Sequence, residues 1–205
     1  MAIKPIIFNT EMVRAILDGR KACTRRILKG AIPFDEKAEY WNVLKKGEWS
    51  GPICVEYFIK QGSPYQPGDI VYIRETWCGL PVNEAGHMRG HTIYYYRADG
   101  DLRPKGWRGA WAPSIHMPKE AARIWLKVTD VRVERLQDMT DDDAEAEGCF
   151  DYTSTALGFP DVWDSTIKKS DIDRYGWNAN PYVFVIEFSK IDKPEEVYTP
   201  KGDRE

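Results

Sequence analysis

Apolar and polar positions alternate most clearly between Ile124 and Leu136, where Ile124, Leu126 and Val128 occupy one parity and Val131 and Val133 the other. Period-two alternation marks a strand with one buried face. The switch of parity predicts a bend near Thr129-Asp130. Thr92 to Ala98 and the closing stretch Tyr182 to Phe188 read as further strands, and Ile6 to Phe8 as a short apolar one. After it, Asn9 or Thr10 can cap a helix running to about Asp18, with Met12, Val13, Ile16 and Leu17 on its buried side and Gly19 ending it. Gln66-Pro67-Gly68-Asp69 has Pro and Gly where a type II turn prefers them, and the β-branched and aromatic residues that follow predict a strand through Trp77. Thr140-Asp141-Asp142-Asp143 fits a helix N-cap with an acidic first turn. The pattern is that of an α+β chain, rich in β-structure with a few short helices.

Directly after the first helix comes Gly19-Arg20-Lys21-Ala22-Cys23-Thr24-Arg25-Arg26, which carries the most informative candidate chemistry. An amine and a hydroxyl stand three residues apart. On a helix or tight turn such a pair shares a face, whereas in a strand an odd offset separates them, so chemistry between Lys21 and Thr24 predicts a turn. A threonine hydroxyl is a weak nucleophile until a neighbouring base takes its proton, and a desolvated lysine is one side chain that can. The simpler reading is a basic cluster that complements a helix C-terminus and is otherwise solvated.

The net charge of −3 argues against a wholesale polyanion binder, but the charge is polarised. Six basic residues (Arg14, Arg20, Lys21, Arg25, Arg26 and Lys29) face one acid between positions 14 and 29, and nine acids face two arginines between 130 and 151. Brought together by the fold, these segments would form a groove of both signs, suited to a small polar ligand rather than a long phosphate backbone. A hydrophobic content of 42% and a mean hydropathy of −0.53 are ordinary for one compact globular domain. With no membrane-length apolar run and no signal-peptide core near the N-terminus, the expected location is cytoplasmic and no membrane partner is expected. Cys23, Cys54, Cys78 and Cys149 lack CxxC spacing, so free thiols are expected rather than disulfides. His87 and His91 stand four apart but lie among glycines, and no metal site is expected. Most of the eight tryptophans are expected in the core, with one or two available to stack on a base.

Gly19, Lys21, Thr24 and Arg26 match the G-x-K-x-x-T-x-R motif, and on them the chain resembles the ASCH domain family of the PUA-like superfamily. Pro67-Gly68-Asp69 and its strand, the Met139 to Gly148 segment and the closing strand Tyr182 to Phe188 resemble the same family, and Arg74-Glu75-Thr76-Trp77 and Ser114-Ile115-His116-Met117-Pro118 resemble its longer bacterial and phage members. The resemblance covers most of the chain, 1–205, as a single domain with insertions around 31–66, 78–108 and 150–177. It implies a PUA-like, mostly antiparallel β-barrel with short flanking helices. It also implies an amidohydrolase acting on an N-acylated pyrimidine nucleoside such as N(4)-acetylcytidine, with Thr24 as nucleophile, Lys21 as base and Glu147 as third member. The residues themselves leave Glu147 and Glu145 open, and the family pattern T-x-x-x-A-x-x-E lands on Thr140, Ala144 and Glu147. Arg20, Arg25, Arg26, Arg74, Glu75, Trp77 and His116 are the candidate substrate-binding residues. No cofactor is implied, and the partner is a small nucleoside or RNA. The alternatives are a non-catalytic RNA- or DNA-binding module and a nuclease of the same family, between which fold alone does not choose.

Overall fold

The computed structural model describes residues 1–35, 37–82, 91–106, 109–149 and 155–195. Its strands are β1 (Ile3–Ile7), β2 (Cys23–Ile27), β3 (Ala31–Pro33), β4 (Tyr40–Lys45), β5 (Glu48–Trp49), β6 (Ile53–Cys54), β7 (Ile70–Arg74), β8 (Trp77–Val82), β9 (His91–Tyr96), β10 (Trp125–Arg135) and β11 (Tyr182–Ile191). The helices are α1 (Thr10–Leu17), α2 (Val55–Gly62), α3 (Asp141–Ala146), α4 (Thr155–Ser165) and α5 (Ile172–Tyr175).

Five strands build the central sheet in the order β1-β7-β10-β11-β2. Only β1 and β7 run parallel; the other pairs are antiparallel. The expected α+β class and the mostly antiparallel pairing are both present. The barrel, however, is not closed: among the described residues no ladder joins the edge strands β1 and β2. One side chain spans the seam instead, since Arg26 Nη2 donates to the carbonyl of Ile7 at 3.0 Å. The 31–66 stretch builds β3 to β6 and α2 beside the central sheet, and β8 with β9 forms a separate hairpin.

Register follows the alternation read from the sequence. β10 pairs β11 along its length, with a bulge between Val128 and Asp130 that accounts for the change of parity. On one face of the sheet, Val128, Val131, Phe184 and Ile186 join Ile6, Phe8, Val13 and Ile16 in the main core. On the other, Val183 and Val185 pack with Cys23, Leu136, Phe159 and Trp163. Gly68, at φ +87°, supports the turn into β7. The expected strand stops at Arg74 rather than Trp77, because the Glu75 amide points at the sulfur of Met117 at 3.2 Å instead of continuing a ladder.

Candidate active site

Two helix ends, packed against each other, fix the candidate residues. Asn9 caps α1 by accepting from the Met12 amide, and Thr140 with Asp143 forms a reciprocal capping box on α3. At the other end of α1, Gly19 takes φ +75°, its amide bonds Ile16 O and that of Arg20 bonds Ala15 O. This is a Schellman ending. α3 ends the same way: Gly148 has φ +90°, and the amides of Gly148 and Cys149 bond Glu145 O and Ala144 O. The two endings meet so closely that a Cβ on Gly148 would stand 2.8 Å from the Ala15 Cβ and 3.4 Å from the Lys21 Cβ. The Ala22 amide bonds Ala146 O at 2.8 Å, locking them together.

Lys21 follows the first ending and Glu147 caps the second, so each side chain enters a buried space between the helix ends. Lys21 Nζ bonds the Glu147 carboxylate directly and its carbonyl at 3.0 Å. The Lys21 side chain is fully buried and that of Glu147 is 4% exposed. Thus Glu147, which a helix C-terminus would otherwise disfavour, is held by a cation from another element. A second cation, Arg25, reaches Glu147 at 3.5 Å, Glu134 at 2.7 Å and Asp143 at 3.3 Å. Arg132 extends the network to Glu134, Asp143 and Glu187. The basic and acidic stretches of the sequence therefore do meet.

Burial works against the charge of Arg25, yet Glu147 and Glu134 outweigh it and its pKa is raised. Burial also opposes ionisation of Asp143, but bonds from Thr140 and the Arg25 charge hold its carboxyl below the usual range. The Cys23 thiol is pushed up to about 12, by burial first and then by Glu147. It is protonated at neutral pH and is no nucleophile.

Thr24 departs from the expected turn. It is the second residue of β2, opposite Ile186 of β11, and Asp18 to Ala22 form the link from α1. Pairing with β11 draws it into the sheet. Thr24 nevertheless shares a side of β2 with Arg26, and Lys21 Nζ and the Arg26 guanidinium lie 5.5 and 5.4 Å from the centre of the same Phe8 ring. Thr24 is 3% exposed and lines a cavity of about 160 Å³ together with Glu147, Arg25 and Arg26. This cavity occupies the seam at the free edge of β2. Ile7, Asn9 and Met12 form one wall and Phe159, Val162, Trp163 and Thr166 another. Such a wall of apolar groups around a few polar ones is what a small-molecule site needs.

Sequence reasoning missed the second wall. Phe159 and Trp163 have i, i+4 spacing, which marks a helix face, but Pro160 between them argues against a helix interior. Asn9 was legible only as a cap.

The remaining candidates lie apart. Arg20 is half-buried and paired with Asp18 at 2.9 Å. Arg74 bonds Ile115 O at 3.1 Å and lines a neighbouring cavity that shares Ile7 and Arg26 with the first. Glu75 is 1% exposed, and Arg123 clasps it with two bonds of 2.9 and 3.1 Å. Trp77 packs on Tyr94 in the β8–β9 hairpin, and His116 is exposed. His87 and Trp107 fall outside the described residues. No disulfide joins the four cysteines. Among the described residues, no group of three or more metal-binding side chains assembles and no helix is long and apolar enough to cross a membrane.

No family model matches the chain, and no curated protein does. Among solved structures, 94% of the chain superposes on 81% of an ASCH domain from Lactobacillus crispatus JV V101, with a TM-score of 0.46 and 11% identity. It also superposes, over 93% of its length, on 100% of the hypothetical protein PH0355, with a TM-score of 0.41 and 15% identity.

Proposed function

We propose that the protein hydrolyses the amide of an N-acylated pyrimidine nucleoside, with N(4)-acetylcytidine as the model substrate. The observation that carries this reading is the Thr24 hydroxyl. Thr24 is 3% exposed and lines a cavity whose wall includes the carboxylate paired with Lys21. A threonine hydroxyl at a cavity wall, with a lysine and a carboxylate nearby, has the groups that nucleophilic work needs. The resemblance of Gly19, Lys21, Thr24 and Arg26 to the ASCH motif supplies the substrate class.

In the proposed reaction, a proton passes from Lys21 Nζ to Glu147 within their hydrogen bond, leaving an amine lone pair that accepts the Thr24 proton. Thr24 Oγ then bonds to the acyl carbon. When the tetrahedral intermediate collapses, the bond to the exocyclic nitrogen breaks and the pair returns a proton to that nitrogen. Water attacks the resulting acyl ester, releases the carboxylic acid and restores the hydroxyl. Arg25 stays bound to Glu147 throughout and keeps its second oxygen in place. Phe159, Trp163 and Val162 exclude water and offer apolar surface to the base and the acyl methyl.

Purified protein incubated with a panel of acylated cytidines, with released cytidine detected by mass, tests this reading. Turnover of at least one member is expected. No turnover across the panel would contradict the hydrolase and leave a nucleic-acid-binding module as the better account.

A further inference from the structure

Next to the Thr24 cavity lies a second concavity of about 310 Å³, lined by Pro5, Ile7, Arg26, Pro64, Tyr65 and Arg74. Two of its lining residues are cations. Lys21, Arg25, Arg123 and Arg132 each pair with at least one carboxylate. Arg26 and Arg74 pair with none among the described residues. Among the described residues, the Arg26 guanidinium bonds the Ile7 carbonyl. Arg74 gives Nη1 to Ile115 O, and its Nε is buried with no hydrogen-bond partner. Glu75, the acid next in sequence, is committed to Arg123.

Both arginines are half-buried with hydrogen bonds exposed to solvent, and a guanidinium without an acid partner can take an anion there. Here two such groups converge on one cavity, joined to the first through Ile7 and Arg26. Thr24 and Arg26 lie on the same side of β2 two residues apart, which separates their Cα atoms by roughly 6.6 Å. A ligand with its acyl end at Thr24 would therefore carry its far end past Arg26 toward Arg74. Forked donors of this kind match phosphate oxygens.

We propose that this second concavity holds a phosphate of the substrate, so that the preferred substrate is a phosphorylated nucleotide, free or at a position in RNA, rather than an unphosphorylated nucleoside. The inference rests on the hydrolase reading for its base-binding half. The phosphate half stands on Arg26 and Arg74 alone.

Calorimetric titration of cytidine and cytidine 5′-monophosphate into the full chain tests it. The monophosphate is expected to bind about tenfold more tightly or better, the scale of one charge-assisted contact. The preference should fall about tenfold in Arg74→Gln and in Arg26→Gln, with melting curves confirming that each variant is folded. Equal affinity for the two ligands in the wild-type protein would overturn the proposal even if both variants failed to fold. So would a preference that survives both substitutions. A short cytidine-containing oligoribonucleotide that displaces the monophosphate assigns the phosphate to RNA, and failure to displace it assigns it to the free nucleotide. Acylated nucleoside turned over with no phosphate preference would remove this inference and leave the hydrolase. An arginine-dependent phosphate preference without any turnover would do the reverse.

Discussion

Arg25 and Arg26 are neighbours on β2 and stand in opposite electrostatic settings. Arg25 points to the side of the sheet where α3 ends, and three carboxylates surround its fully buried side chain. Arg26 points to the seam between β1 and β2, where it meets one carbonyl and the face of Phe8. Burial lowers the pKa of Arg26, with only weak opposition from Tyr65 and Glu147, whereas that of Arg25 is raised. Since strand alternation places adjacent residues on opposite faces, one strand can present an ion network to one side and, to the other, a cation with no carboxylate partner among the described residues. The network holds Lys21 and Glu147 in place, and the other side is the one on which the proposed ligand would sit.

That contrast is broken most forcefully by truncation. Arg25→Ala leaves Glu147, Glu134 and Asp143 without their shared cation and is expected to cost about 3–5 kcal/mol. Arg26→Ala removes one hydrogen bond to a carbonyl and should cost about 1 kcal/mol. Urea denaturation of both variants checks the ranking, and equal losses would erase the distinction.

Next in size is Gly148→Ala. The new Cβ meets Ala15 at 2.8 Å in a backbone at φ +90°, which combines left-handed strain with overpacking for about 2–4 kcal/mol. Because the two helix endings would have to part, hydrolysis should fall as well. A variant of normal stability and rate would show that the packed endings do not set the Lys21–Glu147 geometry.

The acid limb is gentler. Asp143, and Asp69 with its bonds from Lys4, Ala2 and Gln66, have carboxyls held below the usual range in the folded state. A lowered folded-state pKa contributes stability that is fully present above the unfolded value of about 3.9 and disappears as pH falls through the folded value. Stability measured from pH 6 downward should therefore decline below about pH 4. Asp143→Asn should flatten that decline, and an unchanged curve would remove Asp143 from the account.

Much of this arrangement was legible in the chain. The bulge in β10 was visible as a switch of parity, and the caps of α1 and α3 as Asn9, Gly19 and Thr140. The meeting of opposite charges was visible as two polarised segments. What the sequence could not supply was anything set by long-range pairing. Thr24 reads as a loop residue until β11 recruits it, and no local pattern shows that Ile115 engages Arg74 and Arg123 engages Glu75. The open seam depends on β1 and β2 failing to join, which no local pattern records. The α4 wall was hidden by Pro160.

The claim on which the site depends is that the Thr24 hydroxyl is the nucleophile. Thr24→Ala and Thr24→Ser, each shown to melt close to the wild type, should be compared for release of cytidine from N(4)-acetylcytidine. The account predicts a fall in kcat/KM of at least about a thousandfold in Thr24→Ala, the order expected when a nucleophile is removed, with measurable activity kept in Thr24→Ser. A Thr24→Ala rate within about threefold of wild type, well under the tenfold that 1.4 kcal/mol of lost transition-state stabilisation would give, would contradict it.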